Sequence, residues 1–271
     1  MIRAPFASAP FPKYGRTSSS RSRLGNVLEI YGDIHYVFVD NHEIVLQHEI
    51  MARLSRIVVP GYPHHVTQRG VRSMNVFHEE SDRREYLGML GEEIARHGVS
   101  VLAWCLMTNH VHFVAVPHRE DSLAKSFGRA HWRYTRMKNF AAGVRGYLFQ
   151  GRFSSCVLDE GHLLAAARYV EQNPVRAGMA NVPWDYPWSS ARFHMGITMH
   201  DPLVTDRTLL GLVTDWEGFL LSSDEGRLST LRKRTRTGRP AGDAAFTAQV
   251  EKITGRDLST GKPGRPRKRP S

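Results

Sequence analysis

His110 and His112 stand two residues apart in an otherwise apolar run, His110-Val111-His112-Phe113-Val114-Ala115-Val116. Alternate side chains of a β-strand share a face, so both imidazoles point one way while Val111 and Phe113 point the other. At about 7 Å between Cα atoms, two such rings can converge on one divalent cation. A hydrogen-bonded pair of strand histidines gives the same pattern. A cation held by two imidazoles needs further ligands and a group on which to act. Tyr169 and Asn173 can supply both. Four residues apart on a helix, they share a face and bring a phenol and an amide oxygen to one place. Leu163, Ala167 and Val170 fall on a different face, suited to the core. Pro174 disfavours helical geometry at Asn173 and leaves its aim open. Spacing alone equally allows an ordinary half-buried helix tyrosine at 169.

These side chains need elements to position them. Val99–Met107 and His110–Val116 read as two apolar strands joined by a two-residue turn, Thr108-Asn109, hence a hairpin. Residues 55–70 are rich in β-branched residues and carry Pro60 and Pro63, which suggests an interrupted edge strand. Ser155–Leu158 reads as a further short strand. The spacing predicts helices over Asp82–His97, with Ser81 as N-cap and Gly98 past the end, and over Glu160–Gln172, with Asp159 as N-cap. A third helix, Asp121–Asn139, has a buried stripe of Leu123, Phe127, Ala130, Tyr134 and Met137. That stripe makes Tyr134 a core residue. Tyr147 lies in a glycine-rich connection, a poor platform for a nucleophile. The order β-α-β-β-α-β-α indicates an α+β domain, an antiparallel sheet with helices packed on it. Before it, Ile34–Gln47 alternates as a hairpin about Asp40-Asn41.

The 271 residues carry a net charge of +11. Residues 227–271 hold 13 Lys/Arg and 3 Asp/Glu, so the excess sits almost wholly there. Such a segment attracts a polyanion, and nucleic acid is the usual one. Within it, Gly238-Arg239-Pro240 and Gly264-Arg265-Pro266-Arg267-Lys268 resemble the AT-hook, whose narrow Arg-Pro core enters an A·T-rich minor groove. Phe246, Val250 and Ile253 mark a short helix between the two copies. Between Ser122 and Leu158 there are seven basic residues and no acidic one: Lys125, Arg129, Arg133, Arg136, Lys138, Arg145 and Arg152. With Trp132, Tyr147 and Phe149 interleaved, that stretch suits a single-strand surface of cations and stacking rings. Two cysteines exclude a disulfide framework or a cysteine-ligated zinc site and make a reducing cytoplasm the default. No apolar run approaches the roughly 20 residues of a membrane helix.

Thr108-Asn109-His110-Val111-His112-Phe113-Val114 resembles the His-x-His strand of single-strand HUH transposases. Arg168-Tyr169-Val170-Glu171-Gln172-Asn173-Pro174-Val175-Arg176-Ala177-Gly178 resembles the tyrosine block of the REP-associated tyrosine transposases, relatives of the IS200-like enzymes. His65-Val66-Thr67-Gln68-Arg69-Gly70, Gly151-Arg152-Phe153 and Trp188-Ser189-Ser190-Ala191 match further blocks of that family in the same order. The resemblance implies a ferredoxin-like antiparallel sheet, helices packed on one face and the His-x-His pair on a central strand. It implies Tyr169 as nucleophile, and His110, His112 and Asn173 as ligands of Mg²⁺ or Mn²⁺. It also implies transesterification on single-stranded or hairpin DNA through a 5′-phosphotyrosine link, by a monomer or homodimer at the bacterial nucleoid. A metal-dependent nuclease or phosphodiesterase using water, and a non-catalytic DNA-binding regulator, are the alternatives. The expected organisation is a poorly ordered extension over 1–50 with the natural start nearer Met51, a catalytic domain over 51–196, a helical linker over 197–226 and a basic tail over 227–271. The DNA-binding residues expected are Lys125, Arg129, Arg133, Arg136, Arg152, Arg239, Arg265, Arg267 and Lys268.

Overall fold

A computed structural model describes residues 55–258, apart from 206 and 223, together with the backbone of 29–31, 34–39 and 42–45. The chain divides into two units, Met1–Ile50 and Met51–Ser271. The first holds an antiparallel sheet of β1 (Glu29–Tyr31), β2 (Ile34–Val39) and β3 (His42–Val45). Val39 stands opposite His42, in the hairpin that the alternation predicts.

The second unit opens with β4 (His64–Arg69), α1 (Glu80–His97), β5 (Val99–Leu106), β6 (His110–Pro117), α2 (Ser122–Ala142) and β7 (Ser154–Val157). The four strands form one antiparallel sheet in the order β5-β6-β4-β7. This β-α-β-β-α-β arrangement is the ferredoxin-like topology, with β4 and β6 in the centre. β4 is therefore not an edge strand. Pro60 and Pro63 precede its paired residues, so neither removes a ladder donor. α1 begins two residues earlier than expected. Glu79, not Ser81, is its N-cap, in a reciprocal capping box with Asp82.

α1 and α2 pack on one face, where Leu90, Ile94, Phe127 and Tyr134 meet Val111, Phe113 and Ala115 of β6. Each fully buried apolar side chain of this size contributes about 1.5–3 kcal/mol. Tyr134 is core, and its hydroxyl donates to the Val76 carbonyl at 2.9 Å. The opposite face is not bare, which corrects the expectation of helices on one side. Val114 and Cys156, of opposite parity, meet Leu163, Ala166, Ala167 and Val170 of α3 (Glu160–Glu171). The Asp159 side chain caps α3 by accepting from the His162 amide.

After α3 the chain continues through α4 (Asn173–Arg176), α5 (Ala191–His194), α6 (Thr208–Leu212), α7 (Trp216–Leu221), α8 (Glu225–Thr237) and α9 (Ala244–Thr254). Residues 227–258 are not a tail. Leu231 of α8 joins the core against α3, Ala241 pairs beside Leu158, and Phe246 and Val250 of α9 pack on Ile57 and Val157. Their apolar spacing is hidden among arginines, which made the segment look solvated. Ile253, by contrast, is exposed. Residues 264–268, the second AT-hook-like copy, lie outside the described residues. Among the described residues no helix is long and apolar enough to cross a membrane.

Candidate active site

β6 and α3 bring His110, His112 and Tyr169 together. The rings of His110 and His112 lie 4.9 Å apart and nearly perpendicular, and the Tyr169 ring stands edge-on to His112 at 5.4 Å. The 3.6-residue turn and the half-buried outer flank of α3 put Tyr169 here while Val170 enters the core. Asn173 follows on the same flank. Gln172 stays in the right-handed helical region, so α4 extends the direction of α3 across Pro174. The Asn173 amide donates from Nδ2 to the Tyr169 carbonyl at 3.1 Å, leaving Oδ1 as an acceptor.

The hydrogen-bond partner of His110 fixes its tautomer. Asn109 Nδ2 donates to the Ser73 carbonyl, so its Oδ1 faces His110 and accepts from Nδ1–H at 2.6 Å. His112 Nδ1 lies 3.0 Å from His65 Nε2, and His65 Nδ1 lies 2.8 Å from Thr235 Oγ1. A consistent chain has His112 donating to His65 and His65 donating to Thr235, whose own hydroxyl is 3.3 Å from Cys156 Sγ. Both His110 and His112 then keep an Nε2 lone pair. That donor set fits a divalent cation, with each ligand oriented through its other nitrogen. Burial pushes His112 well below the ordinary imidazole value, with His65, His110, Arg176 and Arg69 adding to the shift. Burial and then Arg69 hold His110 at about 4. Both rings are neutral near pH 7, as ligation requires. Among the described residues no three His, Cys, Asp or Glu side chains converge as a metal-binding group. A third protein ligand would have to be an amide such as Asn173.

Cations surround the phenol. The Arg176 guanidinium lies 4.0 Å from the Tyr169 ring centre, and Arg232 of α8 lies at 5.5 Å. Sequence reasoning assigned no role to His65, Thr235, Arg176 or Arg232. Arg176 was within reach: Tyr169, Asn173 and Arg176 recur at spacings of four and three. His65 is diagonal to His112, because His65 pairs with Val114 and His112 with Thr67. Only the strand register reveals that contact.

Gly70 closes the motif at the end of β4. Its amide donates to the Asn109 carbonyl at 2.8 Å, and a Cβ there would lie 2.3 Å from the Met74 carbonyl oxygen. Glycine is thus required where the 70–74 turn meets the Thr108-Asn109 turn that leads into His110. The Trp188-Ser189-Ser190-Ala191 block lies behind α3 rather than in the site. Ser190 Oγ accepts from the Trp104 amide at 2.9 Å and donates to Glu171 Oε1 at 2.5 Å. Glu171, fully buried, also accepts from His194 Nδ1 and Trp216 Nε1.

The expected DNA-binding residues divide. Acidic residues of α1, and Asp121 beside the start of α2, neutralise much of the α2 face: Arg129 pairs with Glu93, Arg133 with Glu92 and Glu93, Lys138 with Asp82, and Lys125 with Asp121. The run from 122 to 158 lacks acids in sequence but meets them in space, so its charge is not one-sided. Arg136 instead lies over the exposed Trp132 ring. Phe149 is buried against His131, and Tyr147 is 88% exposed. Arg239 is half-buried and donates to the Leu258 carbonyl, so the first AT-hook-like copy is built into the fold. Arg152 is exposed near Arg56. Arg265, Arg267 and Lys268 lie outside the described residues.

No curated protein matches the chain. A solved structure described as a REP-associated tyrosine transposase bound to a REP hairpin matches with a TM-score of 0.47 and 16% identity, over 58% of this chain and 96% of that one. Residues 59–173 match the family model described as transposase, IS200 like. That span begins before β4, includes His110, His112 and Tyr169, and ends on Asn173. Over this span, the chain is similar to the IS200-like transposase family.

Proposed function

We propose that the protein cuts and rejoins single strands of DNA, hairpin-bearing strands among them, by transesterification at Tyr169. The observation that carries this reading is the convergence of the Tyr169 phenol, the His110–His112 pair and the Arg176 guanidinium around one place. In the step proposed, Tyr169 Oη attacks phosphorus and the bond from phosphorus to the 3′ oxygen breaks. A 5′-phosphotyrosine link forms, and the departing oxygen takes up a proton to become a 3′-hydroxyl. The phenol loses its proton to solvent as it attacks. The flanking Arg176 and Arg232 stand where they can meet the negative charge that gathers on the phosphate and the attacking oxygen. Reversal by another 3′-hydroxyl rejoins strands with no ATP.

His110, His112 and Asn173 would hold a divalent cation, Mg²⁺ or Mn²⁺. When bound, that cation offsets the charge developing on a non-bridging phosphate oxygen. The chain's own residues orient the rings and the phenol, and α8 walls the site with positive charge.

The test is covalent trapping on hairpin oligonucleotides labelled on the fragment 3′ of the cut. Wild-type protein with Mg²⁺ or Mn²⁺ yields an SDS-resistant adduct, Tyr169→Phe yields none, and Tyr147→Phe matches wild type. A cut product without an adduct would assign the chemistry to water. Tight hairpin binding with no cleavage in either metal would leave only a regulator.

A further inference from the structure

A second cationic site lies beside the first. The edge strand β7 and the end of α8 enclose a cleft of about 50 Å³ lined by Arg56, Arg152, Ser155, Thr235 and Arg236. The cleft is open on one side and has room for a small tetrahedral oxyanion. Among the described residues none of the three arginines has a carboxylate within salt-bridge distance. The Arg56 guanidinium is held in place, stacked 3.7 Å from the Phe153 ring centre and donating to the Phe153 carbonyl. Burial and the neighbouring Arg152 charge lower its pKa to about 10, as expected when like charges are gathered without a counter-ion. The second observation is polar. The Val157 carbonyl is taken by the Ala241 amide, on the side of β7 away from β4. By the same parity Ser155 turns its amide toward the cleft.

The cleft is linked to the proposed active site in two ways. Thr235 lines it and is also the partner of His65 behind His112. Arg232, beside Tyr169, and Arg236, in the cleft, are four residues apart on α8. One helical turn, about 5.4 Å, is comparable with the separation of successive phosphates on a single strand. The helix dipole opposes an anion at this end of α8. Thr237 and Gly238 already satisfy the Lys233 and Arg234 carbonyls, however, and Arg236 lies in the same turn.

We propose that the Arg56–Arg152–Arg236 cleft, with the Ser155 amide, holds a backbone phosphate of the DNA strand, flanking the phosphate attacked by Tyr169. The proposal rests on the strand-transfer reading for its substrate, so its test avoids cleavage. In a Tyr169→Phe background, Arg152→Ala, Arg236→Ala and the double variant are titrated with a DNA hairpin bearing single-stranded flanks, across a salt series. Both arginines are exposed at the surface, and thermal melts check that folding is retained. Each single variant weakens binding about tenfold. Each also lowers the slope of log affinity against log salt by about 0.7, the contribution of one single-strand phosphate. The double variant lowers that slope no further, because one phosphate is lost only once. Replacing flank phosphates one by one with neutral methylphosphonates reproduces the loss at a single position in the parent and none in the double variant. Unchanged affinity and slope in the variants overturn the proposal. So does saturable inorganic phosphate binding in the parent combined with unaltered DNA binding in the variants, which makes this a free-phosphate site. An adduct in the trapping assay without methylphosphonate coupling removes the cleft alone. Coupling without an adduct removes the tyrosine chemistry alone.

Discussion

His112 would be a poor ligand if its ring could turn or take the other tautomer. The contact with His65, itself held by Thr235, opposes turning, and with His112 donating to His65 and His65 to Thr235 it reserves His112 Nε2 as a lone pair. Thr235→Val keeps the volume but removes the acceptor at the end of the chain. His65 then loses the partner that keeps its proton on Nδ1, and His112 Nε2 is no longer reserved as a lone pair. The expected result is Mn²⁺ affinity lowered about 10–100-fold, the usual cost of losing an outer-shell partner. It is measured by calorimetry on the metal-free protein without DNA. Wild-type affinity in Thr235→Val, with His112→Ala abolishing binding, would remove the relay from the argument. The His110–His112 pair and Tyr169 were legible because alternation and helical spacing are local patterns. Thr235 was not, since it reaches His65 across 170 positions of sequence from a helix that looked like a charged tail.

The helix that carries Tyr169 is held from behind. Glu171 sits two residues on, which turns it about 200° round α3 from the tyrosine. There it gathers donors from Ser190, His194 and Trp216, and thereby ties α3 to the α5 segment and to α7. This explains a motif the sequence displays without explaining. The Trp188–Ala191 block resembles a family signature, yet Ser190 serves as a clamp between the Trp104 amide of β5 and Glu171. Ser190→Ala leaves the Trp104 amide and one Glu171 oxygen without this partner. It should cost about 1–3 kcal/mol, seen as a lower urea midpoint at unchanged m. An unshifted midpoint would mean that the clamp is not needed to hold α3. Element identities followed from periodicity throughout 80–172. The α2 surface was misjudged for a physical reason: charge counted along one helix omits the acids of the helix packed against it, here Glu92 and Glu93.

At the scale of the molecule, the same solution serves both the proposed histidine ligation and the fold: imidazoles are placed where water is not. His64 is held at about 4 and His131 at about 3, both chiefly by burial. Neither belongs to the proposed ligand set. His64 Nε2 accepts from the Val59 amide, and His131 Nε2 meets the Tyr86 hydroxyl at 3.0 Å. Their unfolded value is about 6.5. Between about pH 6.5 and 4 the unfolded chain therefore binds protons that the folded chain refuses, and stability falls as pH falls through that window. Asp201, raised by burial, pulls the other way, but it is one carboxyl against several imidazoles. The metal-free protein should lose roughly 5–10 °C of melting temperature between pH 7 and pH 4.5, with the decline beginning near 6.5. His131→Gln should flatten that decline, because a neutral amide has nothing to titrate. A melting temperature level across the window would mean that these rings are protonated at no cost in the folded state. The dry, neutral interior that makes His110 and His112 fit to bind a cation would then be absent as well.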